Sequence, residues 1–147
     1  MVQKIILSDI LDFSVEDVWD KISAFDEFAD FHPAALRSFY LHQTPERIGS
    51  VRRVQMSNGF VEEKLVGFDP VNYHLKYIIT QSSLPLSDYR AEIKLTPIEM
   101  NTKTEIQWKS TFTAECKDPE KVTADIRENV FVLGLKGLAH YLTVSKY

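Results

Sequence analysis

The chain has 147 residues, enough for one domain that buries about 70% of the surface its unfolded chain would expose. Hydrophobic residues make up 44% and charged residues 26%, as in ordinary globular proteins, while a net charge of −4 argues against a nucleic-acid surface or attraction to an anionic membrane. Cys116 is the lone cysteine, which excludes an internal disulfide framework.

Val2 to Phe13 is apolar and β-branched with polar interruptions, and reads as a strand. Lys4 and Asp9 interrupt it too early for a signal peptide, and no apolar run approaches the roughly 18 residues of a membrane span. The cytoplasm is therefore the expected compartment. Ser14 followed by Asp17 resembles a capping box and opens a short helix, with Val15, Val18, Trp19 and Ile22 at helical spacing. A second short helix, Asp26 to Phe31, is expected to stop at His32-Pro33, because the residue before proline avoids the α region.

Six strand-like runs follow: Leu36–His42, Ser50–Met56, Phe60–Phe68, Tyr73–Gln81, Asp88–Thr96 and Lys103–Thr113. Their short connections, rich in proline, glycine and asparagine, predict an antiparallel meander. In the later strands one face collects Leu75, Tyr77, Ile79, Tyr89, Ala91, Ile93, Ile106, Trp108 and Phe112, and the other face is polar. A helix from Pro119 to about Leu142 is the expected cover. Asp118 caps it, Pro119 takes its first position, and it carries more apolar residues than a solvated helix needs. Gly134 and Gly137 inside it each cost about 1 kcal/mol against alanine, which calls for a strand or ligand in close approach.

The stretch "GSVRRVQMSNGFVEEKL" (residues 49–65) predicts a hairpin turning at Asn58-Gly59. That places Val54 opposite Glu63, Arg52 opposite Leu65, and Arg52 diagonal to Glu63. Both charges then lie on the apolar face with Val54, Met56, Val61 and Leu65. Two readings stand: a structural ion pair, or a polar anchor inside an apolar pocket.

Strand, two short helices, six-strand meander and long C-terminal helix resemble the helix-grip fold of START lipid-transfer domains, birch-pollen-type allergens, plant abscisic acid receptors and bacterial polyketide cyclase/dehydrase-like proteins. "VWDKISAFDEFADFHP" (residues 18–33), "GSVRRV" (49–54), "EKL" (63–65), "LPLSDYRAEI" (84–93) and "TEIQWKSTF" (104–112) are similar to the last of these groups, nearly end to end. The resemblance implies an α+β fold over 1–147, with a seven-stranded curved antiparallel sheet wrapped around the long helix and an apolar cavity between them. Cavity positions implied by it are Arg52, Glu63, Tyr77, Tyr89, Ala91 and Trp108, with Phe131 and Leu135 on the helix. Val54 and Ile93 share that face, and the cavity is expected to measure a few hundred Å³, roughly the size of small-ligand sites. Leu84-Pro85-Leu86 would form an entrance, with His32 nearby; the fuller gate and latch of the plant receptors are missing, so hormone reception is not implied.

Three functions compete: binding or carrying an apolar small molecule (lipid, polyketide or isoprenoid-like), a cyclase or dehydratase using Glu63 as base and Tyr77 or Tyr89 as acid, and a co-chaperone-like interaction domain. Arg52 counts against the enzyme, because a neighbouring cation makes a carboxylate a weaker base. His32, His42, His74 and His140 are scattered and no Cys-x-x-Cys occurs, so neither a metal nor another cofactor is expected. Cys116 lacks an activating base, and Ser50, Ser82, Ser83 and Ser87 lack the context of a nucleophile elbow. Expected partners are an apolar small molecule, with no nucleic acid and no integral membrane segment, in a monomer or homodimer.

Overall fold

The computed structural model describes residues 2–145; Met1, Lys146 and Tyr147, at the ends of the expected 1–147 unit, lie outside the described residues. Strand β1 (Val2–Leu11) leads into α1 (Val15–Ile22), one turn of 3-10 helix (Phe25–Glu27) and α2 (Phe28–Phe31). Then come β2 (Ala35–His42), β3 (Val51–Met56), β4 (Gly59–Asp69), β5 (His74–Ser82), β6 (Leu86–Ile98) and β7 (Lys103–Ala114). The strands form one antiparallel sheet in the order β1-β7-β6-β5-β4-β3-β2. The sheet therefore opens with the meander and closes by laying the first strand beside the last.

Each end of the chain is set by local chemistry. Ser14 Oγ accepts the Asp17 N–H at 3.3 Å and caps α1, whose buried Val15, Val18, Trp19 and Ile22 form its inner stripe. Asp118 Oδ1 accepts the Lys121 N–H at 3.1 Å and starts the C-terminal helix. That helix is continuous over 119–145, and it differs from the expected single α-helix in its middle. It runs as α3 (Pro119–Ile126), a π-helical turn (Arg127–Val132) and α4 (Leu133–Ser145). The π turn re-aims the helix face that looks into the sheet.

The sheet bends through register shifts between β4 and β5, where Thr80 of β5 and Val66 of β4 are extra residues, and between Ser87 and Arg90 on β6. Each inserts a residue into one strand and increases local twist, so the sheet wraps the helix instead of lying flat. Leu65, Leu75, Leu95, Ile106 and Phe112 from the sheet meet Val18 of α1 and Phe131 and Leu138 of the long helix in one buried core.

Two helical glycines have a structural reason. A Cβ at Gly137 would strike the Phe31 carbonyl and lie 2.6 Å from Pro33 Cδ. One at Gly134 would lie 3.0 Å from His32 Cδ2 and 3.1 Å from Trp108 Cζ3. The close approach is thus made by the α2 end and its His32-Pro33 stop, and by Trp108 of β7.

The hairpin corrects one expectation. Met56 pairs with Gly59, so Ser57-Asn58 form the turn and not Asn58-Gly59. Gly59 has no positive φ; it belongs to β4, where a Cβ would collide with Ser83 Oγ, the atom that accepts the Phe60 N–H at 2.9 Å. Moving the turn by one residue moves every partner by two. Each side chain keeps its face, and Arg52 comes directly opposite Glu63 instead of diagonal to it.

Candidate functional site

Arg52 and Glu63 are 5% and 6% exposed, on the inner face of β3 and β4. Arg52 Nε donates to Glu63 Oε1 at 2.9 Å, Nη2 lies 2.8 Å from the same oxygen, and Nη1 donates to the Phe25 carbonyl at 2.9 Å. The guanidinium also lies 3.9 Å from the Phe25 ring centre, 4.7 Å from Phe28 and 5.2 Å from Tyr77. Burial of a charge is tolerated when it is paired and hydrogen-bonded, and Arg52 meets both conditions. Glu63 is engaged on one side only: among the described residues nothing donates to Oε2.

Next to this pair, Trp108 Nε1 donates to Tyr77 Oη at 3.0 Å, and the Trp108 ring stacks on Phe131 with centres 4.3 Å apart and planes 12° apart. Burial, then the Glu63 charge, pushes the Tyr77 phenol well up; burial, then the neighbouring Tyr77, does the same to Tyr89. Both are neutral O–H groups at physiological pH. Ser110 lies close enough to Tyr89 for their hydroxyls to interact, although its buried Oγ makes no well-formed hydrogen bond among the described residues.

The Tyr77–Trp108 pair divides the interior. On one side is a cavity of about 40 Å³ whose lining includes Val54, Met56, Val61, Ile79, Leu84, Leu86, Ile126 and Val130, with Glu63, Tyr89 and His32 as polar groups. On the other is a cavity of about 20 Å³ lined by Ile22, Phe25, Leu75, Ile93, Ile106, Leu135 and Leu138. Phe28, Arg52, Tyr77 and Trp108 border both. We call the first the polar cavity and the second the apolar cavity. A water needs about 10–15 Å³ by this measure, so each space is water-sized to a few waters.

This corrects the expectation of one space of a few hundred Å³. The cavity that touches Tyr89 does not touch Leu135, because the Trp108–Phe131 stack and the Tyr77 hydroxyl fill the centre. Phe131, fully buried in that stack, lines neither space; Ala91, between Tyr89 and Ile93 on the inner face, is too short to reach either. Leu84 and Leu86 border the polar cavity, whereas Pro85 between them does not; its carbonyl accepts the Glu115 N–H at 2.9 Å instead.

His32 is 3% exposed and held at both ring nitrogens. Nδ1 accepts the Ala34 N–H at 3.1 Å, so Nε2 carries the proton and donates to the Val130 carbonyl at 2.8 Å, in the π turn. Burial lowers its pKa, and the nearby Arg52 charge adds to that. His32 thus ties the α2 end to the helix at the border of the polar cavity. Among the described residues no three His, Cys, Asp or Glu side chains converge as a metal site would require, and no helix is long and apolar enough to cross a membrane.

Sequence reasoning missed the aromatic shelf under Arg52, made by Phe25 and Phe28, and the wall made by Ile126 and Val130. Phe25 and Phe28 stand three apart in a helical stretch, a spacing that puts two rings on one face. The helix wall depends on the π turn, which has no signature in composition.

A curved seven-stranded antiparallel sheet closed over a long C-terminal helix defines the helix-grip class. The chain belongs to the polyketide cyclase / dehydrase and lipid transport family, whose model matches residues 4–142. Solved structures agree on the fold. A START superfamily protein from Mycobacterium smegmatis superimposes with a TM-score of 0.82 at 12% identity, covering 97% of this chain and 98% of that one. The protein XoxI from Bacillus cereus gives 0.81 at 22% identity, covering 98% of each chain. Ara h 8.0201 gives 0.79 at 16%, covering 98% and 99%. No curated protein is similar enough in sequence to count as a match.

Proposed function

We propose that the chain binds or carries an apolar small molecule, lipid, polyketide or isoprenoid-like, in the polar cavity. One observation carries this reading: a buried carboxylate, one oxygen of which has no donor among the described residues, and a buried phenol border a space walled mostly by hydrocarbon side chains. Small-molecule sites take this form, with hydrophobic walls supplying affinity and a few polar groups fixing orientation. A purely structural core is served as well by apolar residues, because desolvating an ion pair costs several kcal/mol. Filling the site requires the cavity to enlarge, and half-buried Leu84, on the β5–β6 connection, and Leu86, at the start of β6, form the part of its wall nearest that connection. In this reading residues 1–147 work as one cytoplasmic domain, monomer or homodimer.

Native mass spectrometry of freshly purified protein, followed by titration with the neutral dye N-phenyl-1-naphthylamine, tests it. A co-purified apolar molecule or saturable uptake of the dye is expected; neither one appearing overturns the reading. Glu63→Gln then separates a binder from a cyclase or dehydratase. If Glu63 orients a ligand, affinity falls by about 1–3 kcal/mol, the range for losing a charge-assisted hydrogen bond. If Glu63 is a general base, turnover falls about 10²–10⁴-fold while affinity stays near normal. The first pattern is expected.

A further inference from the structure

The hydrogen-bonding inventory of the polar cavity specifies what the bound molecule must offer at its polar end. We infer that it presents an uncharged hydroxyl, as an alcohol or phenol does, and that the site discriminates against a carboxylate on the same hydrocarbon skeleton. The inference rests on the reading that this cavity binds a small molecule.

Three features carry it. First, Glu63 Oε1 is taken by Arg52 while Oε2 has no donor among the described residues, so the site demands a hydrogen-bond donor at that point. A carboxylate is acceptor-only when ionised, and two facing carboxylates leave both without a proton to share. Second, Tyr89 borders the same cavity and is held as a neutral phenol by its burial, so it can donate to the oxygen of an incoming group. A hydroxyl is both donor and acceptor, so one group can give its proton to Glu63 and accept from Tyr89 across the cavity they share. Third, the charge balance is already closed. Arg52, the cation bordering the cavity, is in direct contact with Glu63, and its planar face is covered by Phe25, Phe28 and Tyr77. A carboxylate ligand would place two anions against one guanidinium in a space from which most water is excluded, where like charges repel far more strongly than at the surface.

A cation is a weaker fit. It would satisfy Glu63 Oε2 but stand beside Arg52, and having no lone pair it would gain nothing from the Tyr89 hydroxyl. The hydroxyl meets both groups and adds no charge.

The test compares ligands matched in carbon number: 1-decanol, decanoate and decylammonium, each displacing N-phenyl-1-naphthylamine from the intact chain. Decanol is expected to displace the dye at least tenfold more effectively than either ion at neutral pH. Tyr89→Phe, which keeps the ring and removes one hydroxyl, is expected to weaken decanol about three- to tenfold. Glu63→Gln supplies an amide that can donate as well as accept, and is expected to narrow the gap between alcohol and carboxylate. Decanoate or decylammonium binding as tightly as decanol, with the dye bound normally, overturns this inference and leaves the proposed function standing. Failure of the dye and all three ligands to bind overturns the proposed function, and this inference with it.

Discussion

The two sides of the Tyr77–Trp108 pair are built from the same strands and the same helix, yet they are finished differently. The apolar cavity is walled by Ile22, Phe25, Leu75, Ile93, Ile106, Leu135 and Leu138, and most of these are nearly fully buried. Arg52 touches it only at the boundary. The polar cavity is walled by buried Val54, Val61 and Ile126 together with half-buried Met56, Ile79, Leu84, Leu86 and Val130, and it contains Glu63, Tyr89 and His32. Hydrocarbon packing alone would have closed the second side as well as the first. What differs is that a buried carboxylate there, Glu63, is only partly satisfied, an arrangement that costs stability and recurs where proteins bind.

The sharpest way to break this comparison is to truncate one leucine on each side. Leu138, 1% exposed at the apolar cavity, is expected to lose about 2–5 kcal/mol on replacement by alanine, since the tight side cannot collapse into the gap. Leu86, half-buried at the wall of the polar cavity, is expected to lose about 1 kcal/mol on the same change, because less apolar area leaves water there. Urea denaturation of both variants measures the difference. Equal losses would mean that the two sides are packed alike.

The boundary itself gives the next effect. Tyr77→Phe removes the acceptor of the Trp108 Nε1–H, leaving a buried donor unpaired while preserving the ring. A loss of about 1–3 kcal/mol is expected. Fluorescence of the tryptophans read alongside chemical denaturation checks it, because Trp108 is the reporter at the site of change. No loss would show that the bond is not what separates the cavities.

How much of this was legible beforehand differs by residue. The inner placement of Arg52 and Glu63 followed from period-2 alternation, which survives a misplaced turn because any shift of the turn moves partners by two. The turn itself was misread because Gly59 looks like a φ-permissive turn residue, whereas its constraint is the Ser83 side chain, a contact 24 residues away in sequence. Gly134 and Gly137 signalled close approach, but not that the α2 end would be the neighbour. The division of the cavity was out of reach: it comes from the Trp108–Phe131 stack and the Tyr77–Trp108 bond, which join residues on three different elements and leave no local pattern. The π turn was equally silent, since residues 119–142 have helical composition whichever hydrogen-bond register they adopt.

The smallest expected effect is a pH dependence confined to the polar side. His32 is buried, neutral and bonded at both nitrogens, and its pKa is lowered from the usual 6.5, first by burial and then by Arg52. Protonation would force Nδ1 to give up the Ala34 N–H. In the unfolded chain the ring takes up its proton near the ordinary value, while in the folded chain it resists. Below about pH 6.5 the unfolded state therefore binds more protons, and stability falls as pH falls, until the folded-state pKa is passed. The slope stays under about 1.4 kcal/mol per pH unit, the limit for one group. Urea midpoints at pH 7.5, 6.5 and 5.5 read it out, and His32→Asn provides the control, since its amide oxygen can keep the Ala34 bond but carries no titrating group. The expected result is a decline toward pH 5.5 in the native sequence and a flatter profile in the variant. Parallel profiles would show that His32 does not couple the proton to the junction between α2 and the π turn, and that the polar side holds together without it.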